Sequence, residues 1–438
     1  MFDLSKYGDG ICLARMAELL EALAIDRARL QERSIAITGS NGKGSTAAFC
    51  ASIGRAFGLR TGLFTSPHLF RINERFQIDG APIEDIRLRE LERTVMAVID
   101  NISRRRGERF GAFEALFALA CLFFQENDCE LLVFEAGIGG RYDPVRLLGS
   151  RVAAVTSIDY EHVELLGNSL ELIVSDKSDA CASGGSIVYG ENCRALRPHI
   201  GEYNRNRNVE SLFVRDEVSI NDQAVEAGSQ RFDFVFRTFD FRALGVALPG
   251  GFQLNNAAIA ATLFINWIER TRPRSPTADL EAAVRNGLRQ ARWPGRLEAI
   301  AQDPLTVIDV GHTPDGIKQS LAGLHATYGP NDWLLVAGVS LDKKAALIAS
   351  ALAPHFRTII CTAAHHKGGD ATALASAMRL ANPAAQIEIA ATIEQAFASS
   401  RTLAAALNER IYVAGGLFTA IEYAAVARGL DASSLAFF

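Results

Sequence analysis

Short apolar runs rich in Val and Ile alternate with stretches of helical periodicity along most of the chain. "SIAIT", "GLFT", "LLVFEAG", "VAAVTSI" and "SIVYG" fall before residue 190, and "LTVIDVG" (305–311), "WLLVAGV" (333–339), "TIICTAA" (358–364) and "RIYVAGG" (410–416) repeat the rule later. Such runs, separated by helices, predict α/β architecture with mostly parallel strands buried on both faces. Between the two sets lies a less regular, polar stretch, 191–251, then a helix over "LNNAAIAATLFINWIER", then "TRPRSPTADL", whose Pro and Ser content breaks helices. The boundary between two α/β domains is therefore expected near "WPGRLEAI" (293–300), giving units 1–296 and 297–438. No internal repeat, low-complexity tract or heptad pattern stands out.

The first strand-to-helix junction is the most informative. "ITGSNGKGSTAAF" (37–49) sets Gly39, Ser40, Asn41, Gly42, Lys43 and Gly44 between a strand ending at Thr38 and a helix whose apolar Ala48, Phe49, Ile53 and Phe57 recur at helical spacing. Glycines let backbone N–H groups close around phosphate oxygens, the helix N-terminus adds partial positive charge, and a Lys at this place reaches the β- and γ-phosphates. Ser45 or Thr46 then stands where a Mg²⁺ ligand is needed. The general form G-x-x-x-x-G-K-[ST] is not met, because Ile37 occupies the first glycine position and Gly44 separates Lys43 from Ser45. A plain glycine-rich turn is the alternative reading of these residues alone.

Later strands aim polar groups at the same edge. "GLFTSPHLFRINERFQIDG" (62–80) follows a short strand, "VFEAGIGGRYDP" (133–144) ends the third, and "DYEHVELLG" follows the fourth. In a doubly wound sheet, ligands bind outside the carboxyl ends of the strands. Glu135 can thus join Ser66 around a metal, with His162 on the same rim.

Composition narrows the partners. The 438 residues carry 45 basic and 50 acidic side chains, mixed along the chain for a net charge of −5, with no basic block of the kind a nucleic-acid binder uses. Seven cysteines lie scattered without a C-x-x-C pair, which reads as buried free thiols rather than a zinc site or a disulfide framework. No 18 consecutive residues are apolar, and "MFDLSKYGDGICLARMAELL" starts acidic and runs into an amphipathic helix. A reduced, cytoplasmic protein of small-molecule chemistry is expected, with neither nucleic acid nor membrane as partner.

"TGSNGKGST", "GLFTSPHL…NERFQIDG", "FEALFALACLFF", "FEAGIGGRYD", "TSI…EH…LG" and "WPGRLE", in this order, resemble the folylpolyglutamate synthase/dihydrofolate synthase family of the Mur ligase superfamily. The similarity runs from about Tyr7 onward and includes the variant phosphate loop with its extra glycine before Ser45. It implies an N-terminal P-loop-type domain with a mostly parallel sheet, a C-terminal Rossmann-like α/β domain, and an ATP-dependent ligase joining a carboxylic acid to an amine through an acyl phosphate. For the family this means adding L-glutamate to a folate or pteroate. Gly39, Asn41, Gly42, Lys43, Gly44, Ser45 and Thr46 would hold the ATP phosphates, and Asn256, Arg296, Asp309 and His312 would reach the nucleotide from the middle of the chain and the second domain. Ser45, Ser66 and Glu135 would surround a first Mg²⁺. His162 and a carbamylated Lys177 would hold a second, so that Lys43, Glu135, His162 and Lys177 carry the catalysis. The residues alone would leave Lys177 a solvated surface lysine. The resemblance also favours a monomer.

The departures from the family pattern cluster where substrates would sit. Gly111 and Ala112 replace an aromatic and a hydroxyl residue before Phe113 and Glu114. Tyr142-Asp143-Pro144-Val145-Arg146 stands where Leu-Asp-Ala-Thr-Asn is usual, Thr313 replaces an Asn, and Gly416 replaces a Ser on the amino-acid side. Phe252 replaces the His before Gln253. Tyr142, Asp143, Arg146 and Gly416 become the candidate substrate contacts. Three functions remain open at this point: a folate ligase, a paralogue with the same chemistry on another acid and amine in a specialised pathway, and an ATP-binding regulatory protein without catalysis.

Overall fold

The computed structural model describes residues 4–5, 8–10, 12–226, 229–341 and 345–437; Tyr7 and the outer limits of the two expected units, 1 and 438, lie outside them. In the first half, β1 (Ser34–Thr38), β2 (Thr61–Phe64), β3 (Phe76–Ile78), β4 (Ala81–Pro82), β5 (Leu131–Glu135), β6 (Val152–Val155), β7 (Ser186–Tyr189) and β8 (Glu210–Phe213) form one sheet in the order β4-β3-β2-β5-β1-β6-β7-β8. From β2 to β8 neighbouring strands are parallel, and β3 and β4 add an antiparallel edge. The central strands are buried along their whole length, as continuous apolar runs require in a doubly covered sheet.

Helices Lys43–Ala56, Phe252–Thr271 and Thr277–Gln290 cover one face with Phe49, Ile53, Ile259, Leu263 and Leu288. Helices Asp85–Arg106 and Ala112–Glu126 cover the other with Val95, Ile99, Phe117 and Phe124. Gly287 allows the closest of these approaches, since a Cβ there would lie 2.5 Å from the Ile53 backbone.

The stretch 191–251 corrects the expectation of irregular chain. It holds helix Arg197–Arg205 and a three-stranded antiparallel sheet, β9 (Val218–Glu226), β10 (Ser229–Phe236) and β11 (Phe239–Gly245), in the order β11-β10-β9. Phe232, Phe234, Phe236 and Phe241 are buried in the same core as helix Phe252–Thr271, while Arg231, Arg237 and Asp240 between them are exposed. The alternation that makes the segment look polar is the period-2 signature of a one-faced sheet.

A second sheet begins at Glu298. Strands β12 (Glu298–Gln302), β13 (Leu305–Ile308), β14 (Trp333–Ala337), β15 (Thr358–Cys361), β16 (Gln386–Ile389) and β17 (Arg410–Ala414) lie in the order β12-β13-β17-β14-β15-β16, parallel except at the β12–β13 edge. Helices pack on both faces around Leu321, Leu335 and Met378 on one side and Ile411, Ile421 and Tyr423 on the other. Six cysteines are buried free thiols, but Cys12 is only half-buried. No helix among the described residues is long and apolar enough to cross a membrane.

Candidate active site

The phosphate loop is held from behind by the end of β6. Ser40 N donates to Ser157 O (2.9 Å), Asn41 N to Ser157 Oγ (2.8 Å), and Thr156 Oγ1 to Asn41 O (2.6 Å). Two glycines make this possible: Gly39 at φ +137° would drive a Cβ into Thr156 Oγ1, and Gly42 at φ +86° would drive one into Asn256 Oδ1. The loop opens helix Lys43–Ala56, whose first N–H groups lack intrahelical partners. Lys43 Nζ folds back onto Gly39 O (2.8 Å) and Ser40 O (3.3 Å). Its ammonium thus stands over the cradle.

Ser45 is buried, and its hydroxyl accepts from Gln253 Nε2 (3.2 Å), which is oriented by Asn256 Nδ2 donating to Gln253 Oε1 (2.9 Å). The first turn of helix Phe252–Thr271 therefore serves the loop. Thr46 is also buried, and its hydroxyl has no hydrogen-bond partner among the described residues.

Glu135, at the end of β5, accepts from Ser66 N at 3.0 Å. Burial pushes its carboxyl up to about 7, against the pull of Lys43, Arg296 and Arg75. A buried carboxylate left so short of compensation is a place where a cation is stabilised. Ser45, Ser66 and Glu135 thus suit Mg²⁺, which takes one or two protein oxygens and completes its shell with phosphate and water. No group of three or more His, Cys, Asp or Glu side chains that could hold a metal ion occurs among the described residues.

Lys177 is not a surface lysine. On helix Leu170–Ser178 it is almost wholly buried, donating to Glu161 Oε1 at 2.6 Å and to Gly39 O at 3.2 Å. Burial lowers its pKa, with Glu161 opposing. Glu161 is raised by burial, but Lys43 and Lys177 draw it down to about 2. Sequence reasoning missed Glu161, although it immediately precedes His162. His162 itself lies exposed at φ +45°, capping the short helix Val163–Leu166.

At the end of the first unit, Arg296 lies near enough to Glu135 to lower its pKa, and from the second domain Thr313 Oγ1 donates to Asn41 Oδ1 at 3.3 Å. His312 Nδ1 lies 3.2 Å from Val310 O. Asp309 is fully engaged: its oxygens accept from Gly311 N (2.8 Å), Ser320 Oγ (2.8 Å) and Leu297 N (3.1 Å), fixing the turn rather than facing a nucleotide. Trp293 was also missed; a Cβ at Gly44 would meet its ring at 2.6 Å, so the indole lies on the phosphate loop.

The substrate candidates do not gather. Tyr142 is exposed on the rim, but Asp143 is buried and accepts from Gly137 N, Ile138 N and Val145 N at 2.9–3.1 Å, so it shapes its own loop. Arg146 donates to Arg141 O and lines a groove of about 480 Å³ with Asp179, Cys181 and Arg207, beside the residues that lead into β6 and β7 and so away from the phosphate loop. Gly416 is buried at the start of helix Leu417–Ala427, with its backbone packed against Gly338 O.

This geometry has counterparts. The profile described as Mur ligase, glutamate ligase domain, matches residues 295–417. The folylpolyglutamate synthase of Lacticaseibacillus casei is 31% identical over 358 residues, 81% of each chain. The chain belongs to the folylpolyglutamate synthase/dihydrofolate synthase family. The dihydrofolate synthase/folylpolyglutamate synthase of Bacillus subtilis (strain 168) is 30% identical over 72% of each chain. A solved Mycobacterium tuberculosis folylpolyglutamate synthase, complexed with ADP and AMPPCP, superposes with a TM-score of 0.85 at 25% identity, over 96% of both chains. The mostly parallel first sheet and the α/β second domain are those of this family.

Proposed function

We propose that this protein is an ATP-dependent ligase that joins L-glutamate to a folate or pteroate through an acyl phosphate, releasing ADP and phosphate. The observation that carries the reading is the meeting at one rim of Lys43, buried Glu135 and, from the junction between the two units, Arg296. Hydroxide is a poor leaving group, so a carboxylate and an amine need activation to condense. The substrate carboxylate oxygen attacks the γ-phosphorus of ATP and ADP leaves. The amine then attacks the acyl carbon, loses a proton, and phosphate departs from the tetrahedral intermediate as the amide forms.

Lys43 and the loop amides offset charge on the transferring phosphoryl oxygens. Mg²⁺ would be held by Ser45, Ser66 and Glu135, with a second ion near His162 and Lys177, and would supply charge neutralisation between the phosphates. Arg296 brings a cation from the interdomain junction to the same place, while closure of the domains keeps water from the acyl phosphate. The new sheet starting at Glu298 supports a division into units 1–296 and 297–438.

A carbamate on Lys177 fits a buried amine whose pKa is lowered by burial, with Glu161 opposing. Glu161 is the counter-ion of the unmodified amine, at 2.6 Å. Native mass analysis with Mg²⁺ and bicarbonate should show the added carbon dioxide, and Lys177→Ala should regain part of its activity with acetate. No added mass and no rescue would discard the carbamate.

The deciding assay is incubation with ATP, Mg²⁺, glutamate and either dihydropteroate or tetrahydrofolate, reading ADP release and product mass. A paralogue acting on another acid is favoured by one observation: Ala112 is buried where the family pattern has a side chain for the acid, and Asp143 beyond it is spent on its own loop. Failure to complement a strain lacking its folate ligase, from folded protein that binds ATP, would select that reading. A folded protein that binds ATP yet releases no ADP with any acid and amine would instead be the regulatory one. We further place the protein in the cytoplasm, as its free thiols suggest, and take it as a monomer, as the family resemblance favours.

A further inference from the structure

Residues 435–437 bridge the two domains beside this rim. The Phe437 ring lies face to face with the His68 imidazole of the first domain, centroids 5.4 Å apart at 9°. On its other sides it meets His366 at 5.0 Å and Phe418 at 4.9 Å, both from the second domain. The carbonyl of Ala436 lies 2.7 Å from His68 Nε2. Arg75 Nε donates to His68 Nδ1 at 2.9 Å, so Nδ1 is the acceptor and Nε2 carries the hydrogen given to Ala436.

The same short segment reaches the metal site. Glu135 acts electrostatically on Arg75, and Ser66, two residues before His68, donates its N–H to Glu135. Leu69 and Phe70, which continue the loop, pack with Leu417, Leu435 and Phe437 on the core of the second domain.

We infer that Ala436 and Phe437 form an interdomain strap, latched on His68, that positions the 66–70 loop against the second domain for ligation. A ring clasped from both domains must leave one of them whenever the cleft opens, so the strap favours the closed arrangement. Closure keeps water from the acyl phosphate, and His68 carries the strap's hold to the loop that supplies Ser66. Phe437 and His68 are thus positioning residues that need not touch either substrate.

The test has two arms, of which only the second rests on the ligase reading. In ATP-free protein, amide hydrogen exchange over residues 68–71 should quicken about tenfold in Phe437→Ala, less in Phe437→Leu, and return toward the original in Phe437→Trp. During turnover, the same variants should release ADP in excess of amide in the same order, with the KM for ATP unchanged. Unaltered exchange in folded Phe437→Ala and Phe437→Leu would overturn the strap. Faster exchange with one ADP still released per amide would overturn its positioning role. If the original protein ligates no folate, the exchange arm still decides the strap while the substrate assignment falls alone.

Discussion

The phosphate loop and the loops that carry Tyr142 and Tyr160 leave the same edge of the sheet, yet they are built on different principles. Around Gly39–Lys43 the backbone itself is the binding surface: it is tied to Thr156 and Ser157, crowded by Asn256 and Trp293, and shaped by glycines that no other residue could replace. Around the other rim Tyr142, Tyr160, Val163, Leu165 and Leu172 project into solvent, so that any surface they offer is made of side chains. A backbone cradle tolerates few sequences; a side-chain rim tolerates many. Most departures from the family pattern accordingly lie away from the loop itself; Phe252, beside Gln253, and Thr313, which bonds Asn41, are the exceptions.

The sharpest way to break the comparison is to remove the one side chain on which the cradle depends for charge. Lys43→Ala should lower ADP release by about a thousandfold, because a cation on the transferring phosphoryl group acts in a dry, preorganised site. Its ammonium bonds only its own loop carbonyls here, so the melting temperature should stay close to that of the original protein. A folded variant with near-original turnover would take the loop out of the reaction.

Glu135→Gln comes next, with about a hundredfold loss of maximal rate and little change in ATP binding. It also carries a pH signature in the ligand-free protein. The Glu135 pKa is raised on folding from 4.5 to about 7, so the native state holds the extra proton, and this group's contribution to stability is lost as pH rises through that window. The variant should therefore gain stability relative to the original at pH 8 and not at pH 4, by denaturant titration. Equal pH profiles would mean that Glu135 is already compensated.

On the substrate rim, Asp143→Asn should lower stability by about 1 to 3 kcal/mol, since it weakens a buried acceptor of three backbone N–H groups. ATP binding should persist in the folded fraction. A changed choice of acid at unchanged stability would return Asp143 to the substrate.

How much of this the sequence made legible follows from the same contrast. Every strand read from an apolar run is present, because a doubly buried parallel strand has no polar positions to confuse it. The β9–β11 sheet was not foreseen, since its buried Phe residues alternate with Arg and Asp. The positions of Lys43, Ser45, Ser66 and Glu135 in the fold were legible because they follow from the ends of apolar strands. Glu161, Trp293 and Thr313 were not: each reaches the loop from a distant segment, and only the packed domains bring them together. Lys177 shows the limit from the other side, since a lone lysine between Asp and Ser gives no sign of burial.

Arg146 is where the smallest effect is expected, and the smallness is the point. A cation three residues past Asp143 is a natural partner for an anionic acid if the loop is read as a continuous substrate wall. In the folded chain the wall ends at Asp143, whose capping of Val145 N starts the 3₁₀ turn Pro144–Leu148 and turns the chain toward β6. The guanidinium of Arg146 then donates to Arg141 O, in the groove it shares with Asp179 and Arg207. Arg146→Ala should consequently leave kcat/KM for the acid within about twofold and the melting temperature nearly unchanged, because an exposed side chain with a backbone partner contributes little. The measurement is a KM series in the acid at saturating ATP and amine. A tenfold rise in that KM, with the KM for ATP unchanged, would show that the loop turns back over the substrate during turnover and would put Arg146 on the substrate rim after all.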